Sequence, residues 1–396
     1  MNPSLPIAIV GGGPAGALAA ERLAAGGRKV LLFDEKLAWE KPCGGGLTHK
    51  ALTQYPFLAE ARTDSRFIQH CELISPAGRR VSFELRHPLA IFSRLALNGL
   101  LLERALRTGV EVRKERVTRI SGGDGDWRLF TSAGEHHAQY LVLAAGARNS
   151  LRSQFVSVIS SDDLMVTAGY FITGESSLVQ IQFLKQLSGY IWIFPRPDHL
   201  SAGIAAKMGE VSASDLRRQL ETWLADNGFH LDGARFFSHI LPAFRAQTLD
   251  EMKVSGEGWM MIGDSAGLVD PITGEGLYYA LRSAELCAEA LLAQEPTRYA
   301  AQLEEEVVSE LKLAARVSQR FYHGQIFGDS VLERMISLTQ QSAGIRDLMG
   351  DLFAGMQGYR GLKTRLMRIA PALALAAMTG ALGFPGKPSE PIKHPS

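Results

Sequence analysis

Leu5-Pro6-Ile7-Ala8-Ile9-Val10-Gly11-Gly12-Gly13-Pro14-Ala15-Gly16 is a short apolar run that ends in a glycine-rich turn. Ile7, Ile9 and Val10 give residues 5–10 the texture of an interior parallel strand. Residues 17–25 continue with a helical pattern, Gly26-Gly27 stops it, and residues 29–33 form a second apolar run that closes on Asp34. This is one β-α-β unit of about thirty residues. Gly11, Gly13 and Gly16 spell G-x-G-x-x-G. The first glycine permits a tight turn, the second lets a pyrophosphate approach the backbone, and the third lets the helix pack close to the strand. The helix N-terminus adds free N–H groups and the positive end of its dipole. Asp34, eighteen residues after Gly16, places a carboxylate where ribose hydroxyls can donate to it. A glycine turn in an ordinary α/β domain is the bland alternative. The strand before, the helix after and the acid beyond make dinucleotide binding the stronger reading.

Composition narrows the field. With 396 residues, two or three domains are expected, or one α/β core with a large insertion. Hydrophobic residues make up 46% and charged residues 21%, as in folded soluble proteins. Lys+Arg is 42 against Asp+Glu 41, so no global basic field exists to hold nucleic acid. Cys43, Cys71 and Cys287 are not in CxxC spacing, and there is no HExxH, so neither a metal site nor a disulfide scaffold is expected. Residues 2–20 carry no charge and superficially resemble a signal sequence. No Lys or Arg precedes them and glycines interrupt them, so a buried strand and turn is the stronger reading. No stretch reaches ~20 uninterrupted apolar residues, so a transmembrane span is not expected.

Further along, residues 73–85 read as a hairpin turning at Pro76-Ala77-Gly78, and residues 94–107 as a helix with a leucine face. Residues 110–120, 127–131 and 140–144 read as strands. Between 165 and 206, strand-like runs alternate with turns, which suggests an antiparallel sheet inserted into the nucleotide-binding core. Residues 212–227 read as a helix. Residues 259–262 form another buried strand, and a helix follows over 274–293. The expected fold class is α/β: a Rossmann-type dinucleotide-binding domain with an inserted antiparallel-sheet substrate domain and a helical C-terminal region. The nucleotide-binding domain is expected over 1–72, 91–160 and 251–300. The substrate domain takes 73–90 and 161–250, the helical region 301–384, and a disordered tail 385–396.

Three segments choose the nucleotide. Gly263-Asp264-Ser265-Ala266 follows the strand W-M-M-I, and its acid could bind ribityl hydroxyls of a flavin. Pro271-Ile272-Thr273-Gly274-Glu275-Gly276 opens a long helix whose dipole could stabilise a reduced isoalloxazine. Arg94 opens another helix and could reach a phosphate or ribose. With the glycine turn, these segments resemble the FAD-dependent group related to para-hydroxybenzoate hydroxylase, from residue 5 to about 295. The resemblance implies FAD contacts from Gly11, Gly13, Pro14, Ala15, Gly16, Asp34, Glu35, Cys43, Gly44, Gly45, Arg94 and Val117. It implies further contacts from Ala145, Gly146, Gly263, Asp264, Pro271, Gly274 and Gly276.

Two more segments narrow the resemblance. Lys41-Pro42-Cys43-Gly44-Gly45-Gly46-Leu47 resembles the P-C-G-G-G segment of geranylgeranyl reductases. Tyr190-Ile191-Trp192-Ile193-Phe194-Pro195, with Gly203 eight residues on, is similar to their Y-x-W-x-F-P motif. In that family the first segment lies beside the flavin and the second lines an elongated prenyl pocket. The implied activity is saturation of isolated carbon–carbon double bonds by hydride from reduced flavin, with a proton from Cys43, a tyrosine or water. From the residues alone, Cys43 reads as a small buried hydrophobe; the resemblance moves it to the site. Tyr190, Trp192 and Phe194 share one strand face, a pocket wall or simply core, and Gly189 and Pro195 at its ends favour the pocket. Cys71 and Cys287 read as core.

One departure bears on the electron source. Leu143-Ala144-Ala145-Gly146-Ala147-Arg148 lacks the acid of the Asp-Gly pair that serves FAD and NADPH in the hydroxylases. That argues against direct NADPH use and leaves ferredoxin or a separate reductase as donor. A flavin monooxygenase or halogenase is the rival reading, since halogenases of this fold carry W-x-W-x-I-P; Lys185 is then a remote candidate for the lysine they need. A non-catalytic flavin carrier is the third. Arg360, Lys363, Arg365 and Arg368 precede the uncharged run 369–384. This is either an interfacial membrane anchor or a cap on the apolar pocket. A cytoplasmic location is expected, with a peripheral place at the inner face of the membrane in the anchor reading.

Overall fold

The computed structural model describes residues 5–61, 65–147, 150–326 and 328–369. Strands Ile7–Val10, Val30–Phe33 and Tyr140–Leu143 are buried along their whole length. They sit side by side in a six-stranded sheet, in the order 255–256, 259–261, 140–143, 7–10, 30–33 and 111–113. Pairing is parallel apart from the first two strands. Parallel strands covered on both faces require such unbroken apolar runs. Helices Pro14–Ala25, Arg94–Arg107 and Leu277–Leu292 cover the sheet, and the two outer helices both pack on Pro14–Ala25. Arg94–Arg107 starts where Ser93 accepts a hydrogen bond from the Ala96 N–H.

A second sheet has eight strands, in the order 235–242, 164–172, 200–207, 189–195, 178–183, 65–74, 80–92 and 46–47. Its two faces divide the labour. Ile191 and Ile193 face helix Ala213–Asp226 and pack with its Leu216, Leu220 and Leu224. Each such buried leucine is worth roughly 1.5–3 kcal/mol. Tyr190, Trp192 and Phe194 alternate with them and face the other way. That other face is partly covered by helices Val331–Gln341 and Ala343–Phe353, whose Leu332, Ile336, Ile345 and Met349 pack on Cys71, Leu73, Phe83 and Val179.

The sequence expectations differ from this arrangement in identifiable places. The hairpin at 73–85 runs from Ser65–Ile74 to Arg80–Phe92, and its first strand pairs in parallel with Leu178–Phe183. The inserted sheet is therefore antiparallel except at that pair. Residues 110–120 do not form one strand. Glu111–Arg113 joins the parallel sheet, whereas Arg119–Gly123 opens a separate three-stranded sheet with Asp126–Phe130 and Glu135–Ala138. Lys114, Glu115 and Arg116 interrupt the apolar pattern between them. Cys71 and Cys287 are fully buried. No helix among the described residues is long and apolar enough to cross a membrane. Of the C-terminal basic cluster, Arg360 pairs with Glu310 and Arg365 with Asp351. Residues 370–384 of the uncharged run, and residues 385–396, lie outside the described residues.

Candidate active site

A cavity of about 1190 Å³ runs between the two sheets and the C-terminal helices. At one side lies the glycine turn. Gly11 has φ +111, and a Cβ there would fall 2.3 Å from the Ala144 carbonyl oxygen. A Cβ on Gly16 would fall 1.8 Å from the Gly11 carbonyl oxygen. Gly13 is different: a Cβ there would meet nothing within 4 Å, and the residue borders the cavity. Gly11 and Gly16 thus hold the close approaches around the turn, and Gly13 leaves room for a guest. Pro14 is the first helical residue, where its missing N–H costs nothing. The Ala15 and Gly16 N–H groups of the first turn have no intrahelical partner.

The predicted cofactor residues gather around this space. Gly11, Gly13, Pro14, Ala15, Asp34, Glu35, Cys43, Gly44, Gly45, Arg94, Val117, Ala145, Gly146, Asp264, Gly274 and Gly276 all border the cavity. Gly16, Gly263 and Pro271 do not; Gly16 sits behind it at the strand–helix contact. The Asp34 carboxylate accepts from the Gly12, Lys36 and Leu37 N–H groups at 2.7, 2.8 and 2.7 Å. That fills three of its roughly four acceptor positions, leaving one toward the cavity. Asp264 pairs with Lys41 at 3.3 Å. Arg94 is buried, with Nη2 donating to Asn98 at 3.3 Å and Nε without a partner among the described residues. An orphaned buried donor on the wall of a cavity fits an acceptor-rich guest. Together with the space over Gly13 and the free first-turn N–H groups, it fits FAD.

Cys43 borders the same cavity, and its Sγ accepts from the Gly45 N–H at 3.3 Å. Burial alone would push this thiol up. The charges of Arg94 and Arg196, with the Gly45 N–H, outweigh that and hold it below the usual thiol range. The Cys43 loop is tied to the aromatic strand: a Cβ on Gly44 would fall 2.5 Å from the Phe194 ring. Its carbonyl oxygen accepts from Arg196 Nη2 and from the Ser201 hydroxyl at 2.9 Å.

Tyr190, Trp192 and Phe194 form the wall opposite. The Tyr190 hydroxyl donates to the Thr273 carbonyl at 2.6 Å, which joins the substrate sheet to the Pro271–Gly276 turn. Gly203 pairs across the sheet from Trp192, and a Cβ there would fall 2.1 Å from the indole ring. We expect Gly203→Ala to drive the ring off its seat at a cost of about 1–3 kcal/mol. Thermal melting and near-ultraviolet circular dichroism check this, and an unchanged tryptophan signal contradicts it.

Sequence reasoning passed over several residues that the fold brings here. Glu40 and Arg196 form a buried ion pair under the Cys43 loop. Asp270, Glu275, Thr48 and Tyr359 form a polar cluster at the Pro271–Gly276 turn. Two signals were available: an arginine placed directly after the apolar strand Y-I-W-I-F-P, and an acid between Gly274 and Gly276. The C-terminal helices contribute Phe321, Met335, Leu338, Leu348 and Met349 to the apolar lining. Lys185 is exposed and does not border the cavity.

Residues 5–158 match the pyridine nucleotide-disulphide oxidoreductase family. Geranylgeranyl diphosphate reductase of Synechocystis sp. is 26% identical over 318 residues, covering 73% of this chain and 75% of that protein. Menaquinone reductase of Mycobacterium tuberculosis is 28% identical over 341 residues, covering 75% and 79%. Among solved structures, a geranylgeranyl bacteriochlorophyll reductase-like protein from Thermoplasma acidophilum superimposes with a TM-score of 0.76 at 17% identity, covering 92% of this chain and 99% of that one. The flavin-dependent brominase Bmp2 gives 0.70 at 18% identity, covering 93% and 99%. At such identities the superpositions establish the fold. The protein is an FAD-dependent oxidoreductase. Within that class its sequence is similar to geranylgeranyl diphosphate reductases, at 26% and 27% identity.

Proposed function

We propose that this protein is a reductase that saturates carbon–carbon double bonds of a polyprenyl, geranylgeranyl-type lipid or a similar hydrophobic substrate. The observation that carries this reading is one continuous cavity, polar around the glycine turn and apolar between the aromatic strand and the C-terminal helices. Its volume exceeds the ~300–1,000 Å³ usual for one small ligand. It thus suits a dinucleotide with an extended apolar chain beside it. Reduced FAD supplies hydride when bound. The protein's own part is to orient the alkene and keep water out. Tyr190, Trp192 and Phe194 serve as the substrate wall, and Cys43 stands at the catalytic centre. Relatives named for reducing geranylgeranyl diphosphate and menaquinone support a reductase.

Electrons reach the site from ferredoxin or a separate reductase in this reading, because residues 143–146 lack the acid of the Asp-Gly pair. Of the basic cluster at 360–368, the exposed Lys363 and Arg368 support a peripheral place at the inner face of the membrane. The alternative, a monooxygenase or halogenase on a hydrophobic or aromatic substrate, shares the fold, as the brominase superposition shows. The exposed position of Lys185 removes the lysine that the halogenase reading relied on. The deciding experiment is anaerobic. The protein is chemically reduced, incubated with geranylgeranyl lipids, and the products are weighed by mass spectrometry. Gains of two hydrogens per double bond are expected without oxygen. No gain with any polyprenyl substrate sinks the reading, and turnover that stops when oxygen is removed favours the alternative.

A further inference from the structure

Two carboxyl groups share the short turn that opens helix Leu277–Leu292. Asp270 is almost fully buried. Its Oδ1 accepts from the Ile272 and Thr273 N–H groups at 2.8 and 3.0 Å and from the Tyr359 hydroxyl at 3.1 Å. Glu275 has far less. Its carboxylate accepts from the Thr48 hydroxyl alone among the described hydrogen bonds, at 3.3 Å. Glu275 also borders the cavity, as do Thr48, Lys50, Asp270 and Cys43.

Two carboxyl groups on one short turn, one buried and the other half-buried at the cavity wall, do not both ionise at neutral pH. The one with three donors keeps the charge, and the one with a single long donor keeps the proton. We propose that Glu275 is the acid of this site: it holds a proton at neutral pH and gives it to the alkene carbon that does not receive hydride. This rests on the reductase reading above. In the balanced step the Glu275 O–H bond breaks and one C–H bond forms. The second C–H bond takes the hydride supplied by reduced FAD, whose loss of two electrons matches the alkene's gain. Glu275 is left as a carboxylate facing the Thr48 hydroxyl and the Lys50 ammonium, and it regains its proton from solvent.

The surroundings agree. Burial pushes the Glu275 carboxyl up, the Asp270 charge pushes it further, and Lys50 and Thr48 oppose; it comes to rest at about 7. Asp270 is also raised by burial, but its donors pull it back. Tyr279, from the helix that follows, lies in the field of both carboxyls and of Glu310. Further charged pairs border the cavity, among them Lys41 with Asp264 and Arg360 with Glu310, and each of these offsets its own charge. Cys43 has the opposite bias, toward the thiolate, through Arg94 and Arg196. The two groups are thus biased in opposite directions, the cysteine toward releasing its proton and the glutamate toward keeping it.

The test uses the FAD-loaded protein and two readouts. Infrared pH-difference spectra should contain a carboxyl band that titrates near pH 7. It should vanish in Glu275→Gln and move to lower pH in Asp270→Asn. In single turnover of the chemically reduced protein with a geranylgeranyl lipid, the rate should be flat below about pH 7. Above that it should fall tenfold per pH unit as the acid is lost. Glu275→Gln should be about 100-fold slower and without that fall. A band that survives in Glu275→Gln overturns the assignment, as does a pH profile that the variant leaves intact. Should Glu275→Gln fail to fold, Thr48→Val provides the second variant. It removes the donor that favours the carboxylate, so both the band and the fall in rate should move to higher pH; no movement overturns the proposal. Wild-type protein that has the band but leaves every prenyl lipid unchanged refutes the substrate and the delivery step together. A missing band refutes Glu275 alone.

Discussion

Arg196→Ala is expected to cost about 3–5 kcal/mol of stability and to loosen the Cys43 loop with it. The Arg196 side chain is completely buried. It donates to the Glu40 carboxylate and to the Cys43 carbonyl, and its guanidinium lies 4.9 Å from the centre of the Phe171 ring. Glu40 meanwhile accepts from the Ser93 hydroxyl at 2.6 Å and from the Arg94 N–H at 2.8 Å. It therefore caps the Arg94 helix of the flavin domain with the same carboxylate that holds the end of the substrate strand. Removing the arginine leaves a buried carboxylate without its cation and a buried carbonyl with one donor fewer.

The pH dependence follows from Glu40. Burial would push its carboxyl up, but Arg196, Ser93 and the Arg94 and Leu95 N–H groups hold it below the usual carboxylate range. The pair's stabilisation is thus fully present above the unfolded carboxyl pKa of about 4.3. It is lost as pH falls through the lower folded value. Without Arg196 the same carboxyl rises, so the variant's deficit should be largest at neutral pH and shrink in acid. Denaturant unfolding of wild type, Arg196→Ala, Glu40→Gln and the double variant gives the coupling between the two. A deficit under about 1 kcal/mol at neutral pH, typical of a surface ion pair, would show that the pair carries little.

The contrast between the glycine turn and this ion pair shows where sequence reading stops. Gly11, Gly13 and Gly16 have their meaning within ten residues, because a strand, a turn and a helix are consecutive there. Asp34 is placed by the next strand. The Y-I-W-I-F-P strand was readable for a similar reason: period-two alternation puts Tyr190, Trp192 and Phe194 on one face whatever the sheet does. Arg196 and Glu40 are 156 residues apart, and Thr48 and Glu275 are 227 apart. Nothing in either local pattern names the partner. The polar strand Glu135–Ala138 escaped because it has only one buried residue to show. The apolar lining from the C-terminal helices escaped because amphipathic helices announce a buried face but not the surface that buries it.

Gly16→Ala is expected to yield protein without FAD. The new Cβ would fall 1.8 Å from the Gly11 carbonyl oxygen and 3.1 Å from the Ala144 Cβ. Both atoms belong to segments leading directly from the buried strands Ile7–Val10 and Tyr140–Leu143, so neither can yield as a flexible side chain would. The helix must retreat from the strand by more than about 1 Å to restore a normal contact. Hydrogen bonds from its first-turn N–H groups weaken steeply over that distance. Overpacking of this kind costs about 1–3 kcal/mol in stability alone. A similar loss at the pyrophosphate lowers FAD affinity by about 100-fold. Gly13→Ala separates the two effects. Its Cβ meets no protein atom within 4 Å, and its φ of −69 suits alanine, but it projects from a residue that borders the cavity. The Gly13 variant should melt like the wild-type apoprotein and still fail to hold flavin, whereas the Gly16 variant should lose both. Flavin absorbance of the purified proteins and melting of their apo forms distinguish the cases. A fully yellow Gly16→Ala would mean that helix and cofactor do not depend on this contact, and that the glycine turn is no more than a bend in the chain.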